Sequence, residues 1–335
     1  MVSKDLIDNV LDFAETNGFN HIFAQVRGRG DAYYNSSFVP KSHLVDADFD
    51  PLEYLINSNK SSSIKIHAWI NIYYLWSSKT LPKQKKHLLL KNPEWLDRSN
   101  KDKYIKTTQY LSDKNSMKID GEGFYLAPTN SSVKDYLLNV ISELSEKYLL
   151  DGIHYDYIRF HNTKYGFNET GLTEYRALNK INAINYGEDD SVIFSEFKRS
   201  SITRFVKEAK ELIKQNLPNS IISAAVKPNI YDAKLLFFQE WDLWLSAGYL
   251  DWAVPMNYVV DNDKFVQNMY MVKDNIPSQY HKKIIVGIST YNQSARIVGK
   301  KIKRLRNMRF NNISIFSYNV FVDNPYYWKK LKKYF

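Results

Sequence analysis

One short segment combines the residue types that acid–base chemistry on an acetal requires. The segment 151–157 has the sequence DGIHYDY, and the side chains of a strand alternate between two faces. Gly152, His154 and Asp156 would then share one face. Hydrolysis of an acetal needs one carboxyl group that donates a proton and a second that attacks or activates water. We predict Asp156 as one member of this pair, although it could also cap the next loop or pair with Arg159.

The second carboxylate is harder to assign from the sequence. No carboxylate occupies the tips of four later predicted strands, which end near Lys227, Asn257, Thr290 and Asn319. Glu240 lies in the loop after one of these strands, and we predict it as the second catalytic carboxylate. Its other interpretation is an acidic residue at a helix start, where the helix dipole favours negative charge. Two further acidic residues are Asp31, after an earlier strand, and Asp242, in the helix that starts near Trp241.

Two other predicted strands also present polar side chains on one face. Gln25 and Arg27 alternate with apolar residues in the first strand, and His67, Trp69 and Asn71 share a face of the second. Buried polar groups need hydrogen-bond partners. Several that converge are better explained by a polar ligand than by a core, although each alone is more simply a structural hydrogen bond.

Other chemistries have weaker support. Among them, His67, His154 and Asp156 have the ligand types of a two-His-one-carboxylate metal site, but nothing in their spacing indicates one. The chain lacks cysteine, which excludes disulfides and thiolate chemistry, and it has no Gly-x-Ser-x-Gly elbow. We predict neither a metal nor a cofactor.

The elements that must position these residues alternate between strand and helix along the whole chain. This alternation predicts parallel strands joined by right-handed crossovers, and therefore an α/β (β/α)₈ TIM barrel forming one domain, 1–335. Seven strands are clear, and the chain opens on a helix, so the first strand is missing or replaced. Segment 124–126 could be a short extra strand, but Pro128 follows it, and we interpret it as loop. Segments 77–120 and 161–195 are predicted as elaborated βα loops, where barrel enzymes build their sites.

Composition limits the remaining classes of function. The 335 residues carry 46 Lys+Arg against 36 Asp+Glu, a net charge of +10, concentrated at 300–309 and 329–333. This surplus allows a hypothesis of nucleic-acid binding, but no nucleic-acid module signature accompanies it, and we interpret it as solvated helix surface. Aromatic residues make up 15% of the chain and suit either a core or the walls of a sugar cleft. No apolar run is long enough for a membrane span.

Several blocks of the chain, in order, resemble the family-10-like glycosyl hydrolases (the GHL10 or DUF187 group). The most specific is DGIHYDYIR at 151–159. The others are FAQVR at 23–27, GDAYYNS at 30–36, DPLEYLI at 50–56, HAWIN at 67–71, NPEWL at 92–96, QEW at 239–241, DWAVPMNY at 251–258 and VGISTY at 286–291. The resemblance covers roughly residues 5–320.

This resemblance implies a TIM barrel that acts on glycans, with Asp156 at the family's catalytic carboxylate. Glu240 stands where the family usually has Asp. Members resemble exported bacterial proteins, some of them linked to cell-wall glycan, and usually begin with a signal peptide and a strand of the type Arg-Gly-x-Trp. The present chain begins MVSKDLIDNVLDF and has neither. We therefore expect an exported protein, periplasmic or extracellular, with a truncated N-terminus.

Together these observations predict a glycoside hydrolase that uses Asp156 and Glu240 on a polysaccharide. Glycan is the only partner predicted, without nucleic acid or a transmembrane segment. The predicted substrate-binding residues are Gln25, Arg27, Asp31, His67, Trp69, Asn71, His154, Arg159, Trp241, Asn257 and Tyr258. The alternative is a non-catalytic glycan-binding barrel, which gains if no second carboxylate faces Asp156 within about 5 to 9.5 Å.

Overall fold

The computed structural model describes residues 2–78, 80–103, 122–179 and 191–335. Most of the strands in this part of the chain are short, β-branched or aromatic segments that pack with both faces covered. In chain order they are β1 (His21–Arg27), β2 (Lys65–Asn71), β3 (Tyr74–Trp76), β4 (Phe124–Tyr125), β5 (Gly152–Asp156), β6 (Ile221–Val226), β7 (Trp252–Pro255), β8 (Val286–Ser289) and β9 (Ile313–Phe316).

Seven of the strands in the described residues form a parallel barrel wall in chain order. β1, β2, β5, β6 and β7 make one sheet, and β8 pairs with β9. Parallel bridges from Ala253 to Ile284 and from Met256 to Gly287 join β7 to the β8 region. Within the described residues β9 and β1 do not pair, and we call this gap the seam. The wall is therefore a TIM barrel that lacks one strand, as the sequence predicts.

Helices connect the strands and cover the outside of the wall. Those of the described residues are α1 (Lys4–Thr16), α2 (Pro51–Ser58), α3 (Leu88–Lys91), α4 (Ser131–Lys147), α5 (Glu169–Asn179), α6 (Ser191–Asn216), α7 (Ile230–Phe237), α8 (Trp241–Ser246), α9 (Asn262–Asn275), α10 (Ala295–Asn307), α11 (Asn319–Asp323) and α12 (Pro325–Leu331), with 3₁₀ turns at Pro93–Trp95, Ser278–Lys283 and Lys332–Tyr334.

Side-chain caps explain where several helices begin. The Asp50 carboxylate accepts from the N–H groups of Leu52 and Glu53, and Pro51 occupies the first turn of α2. The Asn130 amide oxygen accepts from two N–H groups at the start of α4. These contacts satisfy donors that a helix start leaves without partners, so the sequence itself sets these boundaries.

Acidic residues at the N-terminal ends of two strands bind neighbouring strands. The Asp151 carboxylate accepts from the N–H of Ile66 at 2.9 Å and pairs with Lys65. The Asp251 carboxylate accepts from the N–H of Ile222 at 2.9 Å. These residues stabilise the face of the barrel opposite the one where barrel enzymes place their catalytic groups.

The helical layer continues across the seam although the strand layer does not. The Phe13 ring of α1 packs on Phe321 and Trp328 at centroid distances of 5.3 and 5.5 Å. The Tyr318 hydroxyl donates to the Asn9 carbonyl at 3.3 Å. The residues of β9 and the first residues of β1 are only partly buried. The seam is therefore a space beneath aromatic side chains, next to two unpaired strand edges.

The loops beyond the C-terminal strand ends are elaborated, as expected. β3 and β4 pair antiparallel above β2, so the prediction of loop at 124–126 was wrong for Phe124 and Tyr125. Pairing with β3 makes this segment a strand, and the nearby Pro128 favoured the loop interpretation. The predicted loop 161–195 contains α5, while 104–121 and 180–190 lie outside the described residues. Among the described helices, none is both long and apolar enough to cross a membrane.

Candidate active site

The register of two central strands brings polar side chains together at their C-terminal ends. Trp69 lies opposite His154, and Asn71 lies opposite Asp156. The Asn71 amide oxygen accepts from the Trp69 indole at 3.0 Å and from the Gln25 amide at 3.4 Å. The period of two along each strand thus produces the convergence that the sequence predicts for these five side chains.

A cavity of about 1130 Å³ extends from these strand ends along the seam. Its volume exceeds that of most small-molecule sites. We use "mouth" for its part at the C-terminal strand ends, which is lined by Trp69, Glu122, His154, Asp156, Tyr157, Arg159, Lys227, Tyr258, Tyr291 and Phe316.

Asp156 is the acidic group at the centre of the mouth. Desolvation raises the pKa of its carboxyl group to about 6, while a hydrogen bond from the Tyr157 N–H at 2.7 Å and the charge of Arg159 oppose that rise. Tyr157 has a left-handed backbone, with φ of 51°, which is uncommon for an aromatic residue. A carboxyl group with this pKa exchanges its proton near neutral pH, as a general acid must.

Glu122 is a second carboxylate in the mouth. Its Oε2 lies 2.7 Å from Nη2 of Arg159 and accepts a hydrogen bond from the Tyr125 hydroxyl. Burial opposes ionisation, but Arg159 and Tyr125 together lower the pKa of Glu122 below its usual value. The negative charge of Glu122 in turn helps raise the pKa of Asp156. The two carboxyl groups therefore differ in protonation at the same pH, which is how paired carboxylates divide acid and base roles.

Aromatic rings line the mouth in two groups. Tyr157 stacks on Tyr74 with centroids 4.5 Å apart and an interplanar angle of 20°. In the second group, Tyr258 stacks on Phe316 at 5.5 Å and 10°, and Trp69 meets Phe316 edge-on at 5.9 Å. Such flat apolar surfaces beside polar groups can pack against the C–H faces of a sugar ring.

Of the predicted site residues, Trp69, His154, Asp156, Arg159 and Tyr258 line the cavity. Gln25 and Asn71 lie in the hydrogen-bond network behind Trp69. The structure thus brings seven of the predicted residues to one place.

Four predicted residues have other surroundings. The Asp31 carboxylate accepts from the N–H of Arg29 at 3.0 Å and holds the turn after β1. The Asn257 amide donates to the Phe265 carbonyl and accepts from Asn268, which joins β7 to α9. Trp241 is fully buried in the core. His67 contacts His21 below the mouth.

Arg27 points away from the interior face predicted for it. A register shift between Gln25 and Arg27 interrupts the alternation of β1. The Arg27 guanidinium is fully buried, donates to the carbonyls of Asn71 and Ile72, and contacts Tyr136 on the outer helix α4. A β-bulge re-aims side chains in this way, and the sequence gives no sign of it.

Glu240, the predicted partner of Asp156, is absent from the cavity wall. It precedes α8, and its carboxylate lies 3.2 Å from Nζ of Lys234 and 3.7 Å from Nε of Arg199. Thr203 donates to it at 3.4 Å. These contacts are those of a helix-start residue that joins α6, α7 and α8, which was the other interpretation of this residue.

The interior histidines show no metal geometry. Burial lowers the pKa values of His67 and His154 to about 3, so both are neutral. His67 pairs with His21 at 2.9 Å, and His154 pairs with the Ser223 hydroxyl at 2.9 Å. No group of three His, Asp or Glu residues in the described ranges has the arrangement of a metal site.

Two charged residues of the mouth are not among those predicted from the sequence. Glu122 lies between an undescribed segment and β4, and nothing in a loop sequence indicates which strand it approaches. Lys227 directly follows β6 and continues the alternation of Ser223 and Ala225 toward the interior. The alternation rule that predicts Asp156 therefore also indicates Lys227, which a search for carboxylates alone passes over.

Sequence comparison finds relatives that are named glycosyl hydrolases. The family model described as "Glycosyl hydrolase-like 10" matches residues 2–306. The chain is 23% identical to glycosyl hydrolase YngK of Bacillus subtilis (strain 168), covering 74% of this chain and 48% of that protein. It is 25% identical to glycosyl hydrolase DigH of Escherichia coli (strain K12), covering 77% and 58% respectively. The chain thus spans about half the length of the curated relatives it matches.

Solved structures show the same fold at low identity. The glycoside hydrolase domain of PgaB (BpsB) from Bordetella bronchiseptica has a TM-score of 0.73 at 12% identity, covering 97% of this chain and 91% of that chain. An α-L-fucosidase from Paenibacillus thiaminolyticus has a TM-score of 0.63 at 13% identity, covering 99% and 46%. An α-galactosidase from Lactobacillus brevis reaches 0.58 at 14% identity, covering 99% and 38%. These neighbours confirm the TIM-barrel prediction.

Proposed function

Because the chain belongs to the glycosyl hydrolase-like 10 family, we propose that it hydrolyses glycosidic bonds of a polysaccharide at the mouth. Family and fold are those of glycoside hydrolases, as the sequence blocks predicted. One observation carries the proposal for the site. A carboxyl group with its pKa raised to about 6 lies in an aromatic-walled cavity beside a second carboxylate that stays ionised.

Asp156 and Glu122 can divide the work of the two carboxyl groups. Protonated Asp156 donates its proton to the glycosidic oxygen as the bond to the leaving group breaks. As that bond breaks, ionised Glu122 either attacks the anomeric carbon, forming a glycosyl-enzyme that water hydrolyses with Asp156 as base, or takes a proton from the water that attacks the carbon directly. Arg159 keeps Glu122 ionised, since their ion pair at 2.7 Å favours the charged form.

The predicted binding residues divide into three groups under this proposal. Trp69, Tyr258, His154 and Arg159 line the cavity and are proposed to contact the sugar. Gln25 and Asn71 are proposed to orient the Trp69 indole. The remaining predicted residues would act by holding strands and turns in place, namely Arg27, Asp31, His67, Trp241 and Asn257.

We propose bacterial cell-wall glycan as the substrate to assay first. The support is the resemblance of the sequence blocks to a family with members linked to cell-wall strands, together with a net charge of +10 that suits an anionic wall polymer. In this proposal the basic residues at 300–309, apart from the buried Lys301, attract the polymer, and the mouth cleaves it.

The test is release of new reducing ends from cell-wall glycan by the wild type and by Asp156→Asn, Glu122→Gln and Glu240→Gln. Activity lost in the first two variants and kept in the third supports the proposal. Activity kept in Asp156→Asn would overturn the assignment. Binding of glycan by the wild type without any turnover would instead favour the non-catalytic glycan-binding barrel. The anomer released first, followed by NMR, distinguishes Glu122 as nucleophile from Glu122 as base.

A further inference from the structure

A lysine in the mouth carries a charge that no ion pair in the described residues neutralises. Lys227 lines the cavity, and none of its direct contacts in the described part of the chain is to a carboxylate. The nearby Arg159 differs, because its guanidinium is already paired with Glu122 at 2.7 Å. Lys227 is thus the cation of the mouth whose charge is available to a ligand.

The surroundings hold Lys227 in place. Its N–H donates to the Gln239 amide oxygen at 2.9 Å, and the Gln239 amide donates to the carbonyls of Ala225 and Ile158. Gln239 is buried and so joins the ends of β5 and β6 beneath the lysine. The Lys227 ammonium lies 4.2 Å from the centroid of the Phe237 ring, and Arg159 lies over the same ring at 5.3 Å. One aromatic platform therefore carries both cations.

A charge count shows what this arrangement lacks. When Asp156 is protonated, as a general acid must be, the mouth holds the two cations Arg159 and Lys227 against the single carboxylate of Glu122. Desolvation and the charge of Arg159 lower the pKa of Lys227 to about 8. The surroundings therefore stabilise its charged ammonium less well than water does. One negative charge from a ligand would remove the surplus.

We propose that Lys227 is a specificity-determining residue that receives a carboxylate carried by the glycan. This inference rests on the proposed function and names the chemistry of its substrate. A monoanion matches a surplus of one charge, and a lysine ammonium is a point charge that suits a single carboxylate oxygen. A neutral glycan would leave the ammonium desolvated without compensation, at a cost that a carboxylated glycan avoids.

The experiment compares two forms of one cell-wall glycan, with its carboxylates intact or reduced to alcohols. The wild type should show kcat/KM about 10- to 100-fold higher for the carboxylated form, the range of a charge-assisted hydrogen bond. Lys227→Met should lose that preference by cleaving the carboxylated form more slowly, and Lys227→Arg should retain much of it. The matched control is Lys234→Met, because Lys234 also flanks a glutamate but lies outside the cavity wall.

The outcomes separate this inference from the proposed function. A preference that survives in Lys227→Met, or that falls equally in Lys234→Met, would overturn the inference and leave hydrolysis intact. Absence of cleavage of both glycans by the wild type would refute the proposed function. In that case the affinities of the two glycans decide the inference: tighter binding of the carboxylated form that depends on Lys227 supports it, and equal binding overturns it.

Discussion

Two glutamates of this protein each lie near an arginine and a lysine, yet only one of them lines the cavity. Glu122 pairs with Arg159 at 2.7 Å in the mouth, whereas Glu240 lies between Lys234 and Arg199 at 3.2 and 3.7 Å where three helices meet. We call the first group, with Lys227, the mouth cluster and the second the helix cluster. The residue types are nearly identical.

The mouth cluster differs from the helix cluster in having Asp156 as a neighbour and an open space around that carboxyl group. The mouth cluster adjoins Asp156, whose pKa is raised by desolvation, and aromatic rings leave a cavity beside it. The helix cluster is closed by a hydrogen bond from Thr203 and by packing around Glu240, which is 7% exposed. Charged residues in a group therefore do not identify a site. A titratable group with a shifted pKa that faces an open cavity is the better indicator of one.

The largest expected effect is that of Asp156→Asn. Loss of the proton donor should reduce kcat by about 10²- to 10⁴-fold, because general acid catalysis contributes that much. The measurement is kcat on purified glycan, with circular dichroism to verify the fold. Glu240→Gln is the matched control from the helix cluster and should retain activity within about 2-fold. Equal losses of kcat in the two variants would contradict the claim that the mouth cluster, and not the helix cluster, takes part in catalysis.

Glu122→Gln should have the next largest effect. Removal of the ionised carboxylate eliminates the nucleophile or base and leaves Arg159 without its partner, so kcat should fall by about 10²-fold or more. KM should change little, because the neutral amide keeps the shape of the side chain. An unchanged kcat in this variant would mean that the second catalytic group is a residue outside the mouth cluster.

The raised pKa of Asp156 predicts a pH dependence for both activity and stability. Above pH about 6 the Asp156 carboxyl group loses the proton that it must donate. The value of kcat/KM should therefore fall about 10-fold per pH unit on the alkaline side. The folded protein binds its proton more tightly than the unfolded chain does. The free energy of unfolding should therefore decrease as pH rises from about 4 to about 6.

The measurement of that dependence is urea unfolding at several pH values for the wild type and Asp156→Asn. The variant cannot bind this proton, so its slope between those pH values should be less negative than that of the wild type. Identical slopes in the two proteins would mean that burial does not raise the pKa of this carboxyl group.

The smallest expected effect is the loss of stability in Glu240→Gln. The variant loses charge-assisted contacts with Lys234 and Arg199 at a mostly buried position, so the free energy of unfolding should fall by about 1 kcal/mol. Chemical denaturation of the wild type and the variant measures it. Unchanged stability together with lost activity would reverse the roles of the two clusters.

Local sequence pattern was enough to predict most of the wall. β1 (His21–Arg27) and β6 (Ile221–Val226) belong to the predicted wall, since β-branched and apolar runs bounded by turn residues specify strands. The same period of two placed His154 and Asp156 on the interior face. It failed at Arg27, because a bulge consumes one residue of the alternation and depends on the partner strand.

The sequence by itself determined the family, the seven parallel strands and the position of Asp156, because these depend on short-range periodicity and on ordered local blocks. Only the tertiary structure decided the partner of Asp156. Glu122 and Glu240 lie in loops, and a loop sequence does not specify which strand ends it approaches. Contacts distant in the chain, such as Glu122 with Arg159, create the field that separates the pKa values of the two carboxyl groups. Such contacts exist only once the chain has folded.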